Sequence, residues 1–336
     1  MLNKAIINLH LLRKNALSIK GKLNDNVKLN AVVKADAYGH GAPKIANALY
    51  KIADSFSVAT VEEGVRLRLS GIDKQILVLI PLMKEDIKRA VVHDFTVTVG
   101  DFNDVLLLES ECIRQNKRLK VHIKFNSGMN RFGIDTLTEL DQMAKKIANS
   151  EWLELDGMFS HLAYPQNKKS LISVQNKFLL ANNLIKGYNN IATCHLSASG
   201  GFLMGAQFDM VRIGLLLYGY KPFESKQVEV QPIMKVFSPT VKTRFIKRGD
   251  SALYGNVKCR GGQISLVRYG YADGLNRKQI KGQINNRCMD VSAILGKQNS
   301  WVCIMDNADV LAKEYGTISY EILTKCALKA QKIYIN

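Results

Sequence analysis

Short apolar runs rich in β-branched residues recur along the first two-thirds of the chain, with amphipathic stretches between them. Runs at residues 29–34, 56–60, 75–80, 95–99, 120–125, 155–161, 192–196 and 208–213 predict eight strands. Helical periodicity fills most of the gaps, at 43–52, 61–69, 84–92, 101–116, 137–150 and 171–186, and the last gap holds only 200–205. A strand at 3–9 and a helix over 11–23 precede this series. The beat predicts an α/β fold, a (β/α)8 TIM-type barrel, whose chemistry gathers at the C-terminal ends of the strands. Lys34, Lys124, His161, Ser199 and Arg212 all fall at or just past such an end. After Tyr220 the texture changes. Runs at 233–246, 263–269 and 290–295 alternate with Gly, Asn and Pro, and helical periodicity returns only near the end. The expected organisation is an N-terminal strand (1–9) joining the C-terminal domain, a barrel (10–220) and a mostly β C-terminal domain (221–336).

Composition narrows the function classes. A chain of 336 residues, 47% hydrophobic and 23% charged, suits one large barrel with a smaller domain. The net charge of +18 is high, but the lysines are spread over every segment without a basic run or interleaved aromatics, so no nucleic-acid partner is expected. A solvated surface or steering of an anionic ligand accounts for it. Six cysteines occur without CxxC spacing or clustered histidines, which predicts free thiols in a reducing compartment and no metal. The N-terminal apolar patch is broken by Asn8 and His10, and the longest apolar run, 76–83, contains Pro81. No membrane partner and a cytoplasmic location are expected.

Several stretches carry candidate chemistry. In LNAVVKADAYGHG (29–41) a buried strand ends at Lys34, a helical turn follows, Tyr38 lies four residues on, and Gly39 and Gly41 mark the bend. A lysine there is either a solvated strand end or an amine for a carbonyl group, and the phenol can bind a phosphate. In KFNSGMNRFG (124–133) Arg131 presents a fork suited to a carboxylate, unless it is simply solvated. His161, in FSHLA, is either a satisfied core histidine or a ligand contact. HLSASGG (195–201) can offer a hydroxyl and backbone N–H groups to a phosphate, or be a plain loop. Arg212 interrupts the apolar run of FDMVRIGLLLYGY (208–220), and a buried arginine must be paired.

The string AVVKADAYGHG resembles the pyridoxal-phosphate lysine motif of alanine racemases, and the run around Arg212 is a second strong match. Motifs follow the family order over nearly the whole chain. The resemblance implies a racemase that interconverts L- and D-alanine by proton transfer between two bases, supplying D-alanine for cell-wall peptidoglycan. It implies pyridoxal 5'-phosphate carried on Lys34 and contacted by Tyr38, His161, Ser199, Arg212, Gly214, Leu215 and Tyr320, the last in GTISYEIL. Arg131, and the backbone N–H of Met289 in RCMDV, match groups that bind the substrate carboxylate. Lys124 matches a lysine, often carbamylated, that holds that arginine. Tyr254, in the string Ala252-Leu253-Tyr254-Gly255, matches the second base, which the family takes from the other subunit of a head-to-tail homodimer. An arginine facing the ring nitrogen leaves that nitrogen neutral and the ring a weaker electron sink, which favours racemisation over transamination.

Three departures stand out. Ala198 replaces the family's asparagine, Leu253 its serine, and the stretch 285–316 is shorter than usual. A racemase for serine or for a broader set of amino acids would carry nearly the same motifs. The related decarboxylases have Cys-Glu-Ser where this chain has Cys288-Met289-Asp290. A catalytically silent binding protein on this barrel should have lost Lys34 or Tyr254, and both are present.

Overall fold

The computed structural model describes residues 2–250, 253–254, 261–277 and 284–336, with the backbone alone for 284–286. The chain forms two compact units. One comprises Arg13–Ala37 and Ala42–Val230; the other comprises the N-terminal residues through Leu12, Tyr38–Gly41 and Gln231–Asn336. The opening strand, β1 (Lys4–Asn8), belongs to the second of these.

The first unit is built on β2 (Lys28–Val32), β3 (Ser55–Val58), β4 (Ile76–Val78), β5 (Thr96–Val99), β6 (Leu119–Lys124), β7 (Leu153–Phe159), β8 (Thr193–His195) and β9 (Met210–Ile213). These eight described strands are parallel, in the order β8-β7-β6-β5-β4-β3-β2-β9. The two ends of that order meet where Asp209 N donates to Cys194 O (3.0 Å) and Arg212 N to Ser197 O (2.9 Å), which closes the barrel. Strands covered on both faces must be buried throughout, and β3, β4, β5, β8 and β9 are buried at every residue. Polar side chains inside are paired, as where Asn30 Nδ2 donates to Ser55 Oγ (2.8 Å) and Ser57 Oγ to Asn30 Oδ1 (2.6 Å).

Local chemistry sets the helix starts. Thr60 with Glu63, Asp101 with Asp104 and Thr136 with Glu139 form reciprocal capping boxes at the starts of Val61–Leu69, Phe102–Gln115 and Leu137–Ala148. Helical periodicity then turns apolar residues inward: Phe102–Gln115 buries Val105, Leu108 and Cys112. All eight predicted strands are present. The predicted helices 61–69 and 84–92 coincide with Val61–Leu69 and Lys84–Val92.

One local expectation is corrected. After Lys34 the backbone turns the opposite way from an ordinary helix, with Ala35, Asp36, Ala37 and Tyr38 at φ between 52° and 55°. Each L-residue in that conformation costs about 1–2 kcal/mol, so the turn persists only because its surroundings hold it. Glu63 Oε1 accepts from Ala35 N (2.6 Å), Val33 O accepts from Ala37 N (2.8 Å), and Asp36 Oδ1 accepts from Ala42 N (2.8 Å). The gap predicted at 200–205 also carries a short helix, Ser199–Leu203.

The second unit places β1 between β10 (Met234–Ile246) and a C-terminal strand, antiparallel to the first and parallel to the second. With β11 (Gly262–Val267), β12 (Ile284–Arg287), β13 (Ser292–Leu295), β14 (Trp301–Met305) and β15 (Gln331–Ile335), the described strands run β12-β13-β11-β10-β1-β15, and β14 pairs with β10. Helices Ala308–Tyr315 and Ser319–Cys326 follow β14. The segment Tyr38–Gly41 packs within this unit. Gly39 lies at φ 82°, and a Cβ there would sit 2.6 Å from Leu323 O, so both backbone and space require glycine.

Cys112, Cys194, Cys288, Cys303 and Cys326 are free thiols, and Cys259 lies outside the described residues. Among the described residues no group of His, Cys, Asp and Glu is arranged to hold a metal, and no helix is long and apolar enough to cross a membrane.

Candidate active site

Topology brings the barrel's candidate residues to one end. Lys34 lies two residues past β2, Lys124 is the last residue of β6, His161 lies two past β7, Ser199 four past β8, and Arg212 is within β9. Lys124, Ser199 and Arg212 are buried, and Arg131, on the loop after β6, is exposed.

Electrostatics knit them together. Burial, Arg131 and Arg212 lower the proton affinity of Lys34, and Glu63 acts in the opposite sense. Burial, then Arg212 and Arg131, hold Lys124 well below the usual lysine value. His161 is pushed down to about 2 by burial and by Arg212, Lys124, Arg131 and Lys34. The Arg212 and Arg131 cations thus act on a neutral imidazole, a setting that favours an anionic ligand. Lys124 Nζ also lies 4.2 Å from the centroid of the Phe159 ring, and the Arg212 guanidinium 5.1 Å from the same ring.

Arg212 is anchored by acceptors. Nη1 donates to His195 Nδ1 (2.6 Å) and His195 O (3.0 Å). Nη2 donates to Ser160 O (2.7 Å) and Leu196 O (3.2 Å), with His161 Nδ1 at 3.4 Å. Burial lowers its proton affinity to about 9, so at neutral pH the group remains a cation. Among the described residues these bonds use only the two Nη atoms and leave the Nε–H for a ligand. Nearby, Leu216 N donates to Ser199 Oγ (3.5 Å), and Gly214 precedes a 3-10 turn, Leu215–Tyr218. The Tyr218 hydroxyl donates to Val32 O (2.8 Å), tying that turn to the end of β2.

The other candidates lie in the second unit. Tyr38 and Tyr320 face each other with ring centroids 5.5 Å apart, and burial, first of the causes, raises both phenols above their ordinary value. Tyr254 is 77% exposed and Met289 55%. Ala252 and Gly255, which flank the Tyr254 string, lie outside the described residues. Met289 packs on the 270–274 loop: Ala272 N donates to Met289 O (2.8 Å), and a Cβ on Gly270 would lie 2.2 Å from that oxygen.

Four polar residues of the barrel unit that the structure brings into the hydrogen-bond networks around the candidates were not singled out from sequence: Glu63, His122, Asp156 and His195. Their signal was there to use, since KVHIK and TCHL each set a histidine within an apolar strand, where it must be paired.

A closed (β/α)8 barrel with a lysine past its first strand, a cation-rich mouth and an appended β unit defines a barrel enzyme for a small anionic ligand. Comparison with known proteins makes this specific. A family model described as alanine racemase, N-terminal domain, matches residues 7–222. The chain is 32% identical to an alanine racemase of Treponema denticola, over 99% of this chain and 98% of the relative. It is 31% identical to alanine racemase 2 of Caldanaerobacter subterraneus, over 98% and 94%. Among solved structures it resembles the alanine racemase of Clostridium difficile 630 at TM-score 0.93 and 29% identity, covering 100% of this chain and 96% of that one. The Bacillus anthracis alanine racemase with bound L-Ala-P matches at TM-score 0.88 and 27% identity, covering 99% and 95%. This chain belongs to the alanine racemase family.

Proposed function

We propose that the protein interconverts L- and D-alanine with pyridoxal 5'-phosphate held on Lys34. The donor set fits that group: an amine of lowered proton affinity for the aldehyde, cations for anionic substituents, and a spare Arg212 Nε–H for a ring nitrogen. Bound through its aldehyde, the cofactor acts as an electron sink that acidifies the α C–H of an amino acid.

The rest of the chemistry falls to this chain's own side chains. Lys34 Nζ carries the α-proton on one face and the Tyr254 hydroxyl carries it on the other, since inversion needs a proton donor opposite the acceptor. Arg212 remains a cation at neutral pH and only donates, so it keeps a ring nitrogen unprotonated and the electron sink weak. Ser199, Tyr38, Tyr320 and the N–H groups of Gly214 and Leu215 would bind the phosphate, and His161 would contact the ring. Arg131 and the Met289 N–H take the substrate carboxylate. The low proton affinity of Lys124 supports its carbamylation, because carbon dioxide adds to the neutral amine. The wide exposure of Tyr254 and Met289 in the single chain supports a homodimer in which they act at the partner copy's site.

The observation that carries this reading is Arg212, buried and held by neutral acceptors, on the barrel strand that neighbours the one leading to Lys34. Chiral analysis of the products from L-alanine, L-serine and L-lysine, with added cofactor, tests it. D-alanine is expected to dominate, and Lys34→Ala to abolish it. Dominant D-serine would shift the substrate, and no inversion at all would overturn the reading.

A further inference from the structure

Four polar side chains form a line through the barrel. Asp156 Oδ2 lies 2.8 Å from His122 Nε2, His122 Nδ1 lies 2.9 Å from His195 Nε2, and His195 Nδ1 lies 2.6 Å from Arg212 Nη1. His122, His195 and Arg212 are 1%, 0% and 4% exposed, so water cannot stand in for any of these partners. Gly157 makes room for the line, since a Cβ there would lie 2.8 Å from the His122 ring.

The proton positions follow from valence. A guanidinium only donates, so His195 Nδ1 accepts, and a neutral His195 carries its proton on Nε2. That proton is given to His122 Nδ1, which leaves the His122 proton on Nε2, facing Asp156. The other end demands the same arrangement, because an ionised carboxylate only accepts. Placing a second proton on His122 would turn a His195 N–H toward Arg212. Burial, followed by the charge of Arg212, keeps His195 neutral. Burial raises the proton affinity of Asp156, but hydrogen bonds from His122 and Gln75 and the charge of Lys120 outweigh it and keep the carboxylate ionised.

Among the described residues no carboxylate lies within 4 Å of Arg212, so its counter-charge stands two imidazoles away. We propose that Asp156 is a positioning residue: through the single tautomer it imposes on His122 and His195, it presents an acceptor to Arg212 and aims the guanidinium. The structural claim stands on the chain of contacts, and its consequence for turnover rests on the functional reading above.

Nitrogen-15 NMR of the protein labelled at its six histidines tests the tautomers directly. The expected wild-type spectrum shows His122 and His195 both neutral and protonated at Nε2 near neutral pH. An Nδ1–H form or an imidazolium at either would overturn the proposal. In Asp156→Asn a mixture of tautomers is expected at His122, and kcat for alanine is expected to fall on the order of ten-fold with KM little changed. Gln75→Ala removes another hydrogen bond to Asp156 but leaves the carboxylate, and is expected to preserve both tautomers. Equal disturbance in the two variants would mean simple loosening and overturn the positioning role. If Asp156→Asn does not fold, the wild-type spectrum decides alone. The expected tautomers in a protein that racemises nothing would leave the anchor standing and overturn the functional reading.

Discussion

Lys34 takes its chemistry from its surroundings. An exposed lysine is protonated at neutral pH, whereas this one is half-buried beside two arginines, which favours the neutral amine. An aldehyde should therefore find it first. Brief treatment with pyridoxal phosphate, borohydride reduction and peptide mapping are expected to label Lys34 ahead of the surface lysines; uniform labelling would contradict the electrostatic account. The left-handed turn that follows depends on Glu63, which accepts from Ala35 N and from Ala59 N (2.7 Å). Hydrogen bonds to a charged group contribute about 1.5–3 kcal/mol, so Glu63→Ala is expected to lose about 2 kcal/mol or more in urea unfolding. Such dependence could not be read from KADAY, whose residues favour an ordinary helix; the tertiary acceptor overrides the local preference.

Strands and helices were largely legible because each is dictated locally. Apolar runs of strand length gave the barrel, and helical periodicity over 61–69 and 84–92 gave helices that the structure repeats to the residue. Partners distant in sequence were less so. β15 carries no strong periodicity of its own, and it is a strand because β1 pairs with it in parallel. The link between β6 and β7 shows the same limit: Gly157 reads as a weak point in a strand, yet it is the space that His122 requires. A Cβ at that position would also meet Thr193 O at 2.2 Å. Gly157→Ala is therefore expected to destabilise the protein by about 1–3 kcal/mol or more, seen as a lower Tm, and to shift the His122 NMR signals. An unchanged Tm would mean that the interior yields more easily than this packing implies.

For the molecule as a whole, acid stability should follow Asp156. Its folded pKa lies below the ordinary 3.8, so its stabilising contribution is present above that value and is lost as pH falls through the folded pKa. Asp156→Asn is expected to be less stable than wild type at neutral pH, and the difference to shrink in acid; a constant difference from neutral to strongly acid pH would contradict this. The candidate site was legible where a single residue type carries the chemistry, as at Lys34 and Arg212, and obscure where function depends on assembly. Tyr254 lies open on its own chain, and only the resemblance singled it out. The most direct test of the account asks whether Lys34 and Tyr254 serve opposite faces of one carbon. Cofactor-loaded wild type, Tyr254→Phe and Lys34→Ala would each be given L- or D-alanine in deuterated water, and deuterium at Cα followed by mass spectrometry with chiral separation. Deuterium is expected in both enantiomers with wild type, in only one starting enantiomer and without inversion with Tyr254→Phe, and in neither with Lys34→Ala. Undiminished inversion by Tyr254→Phe would contradict the two-residue account.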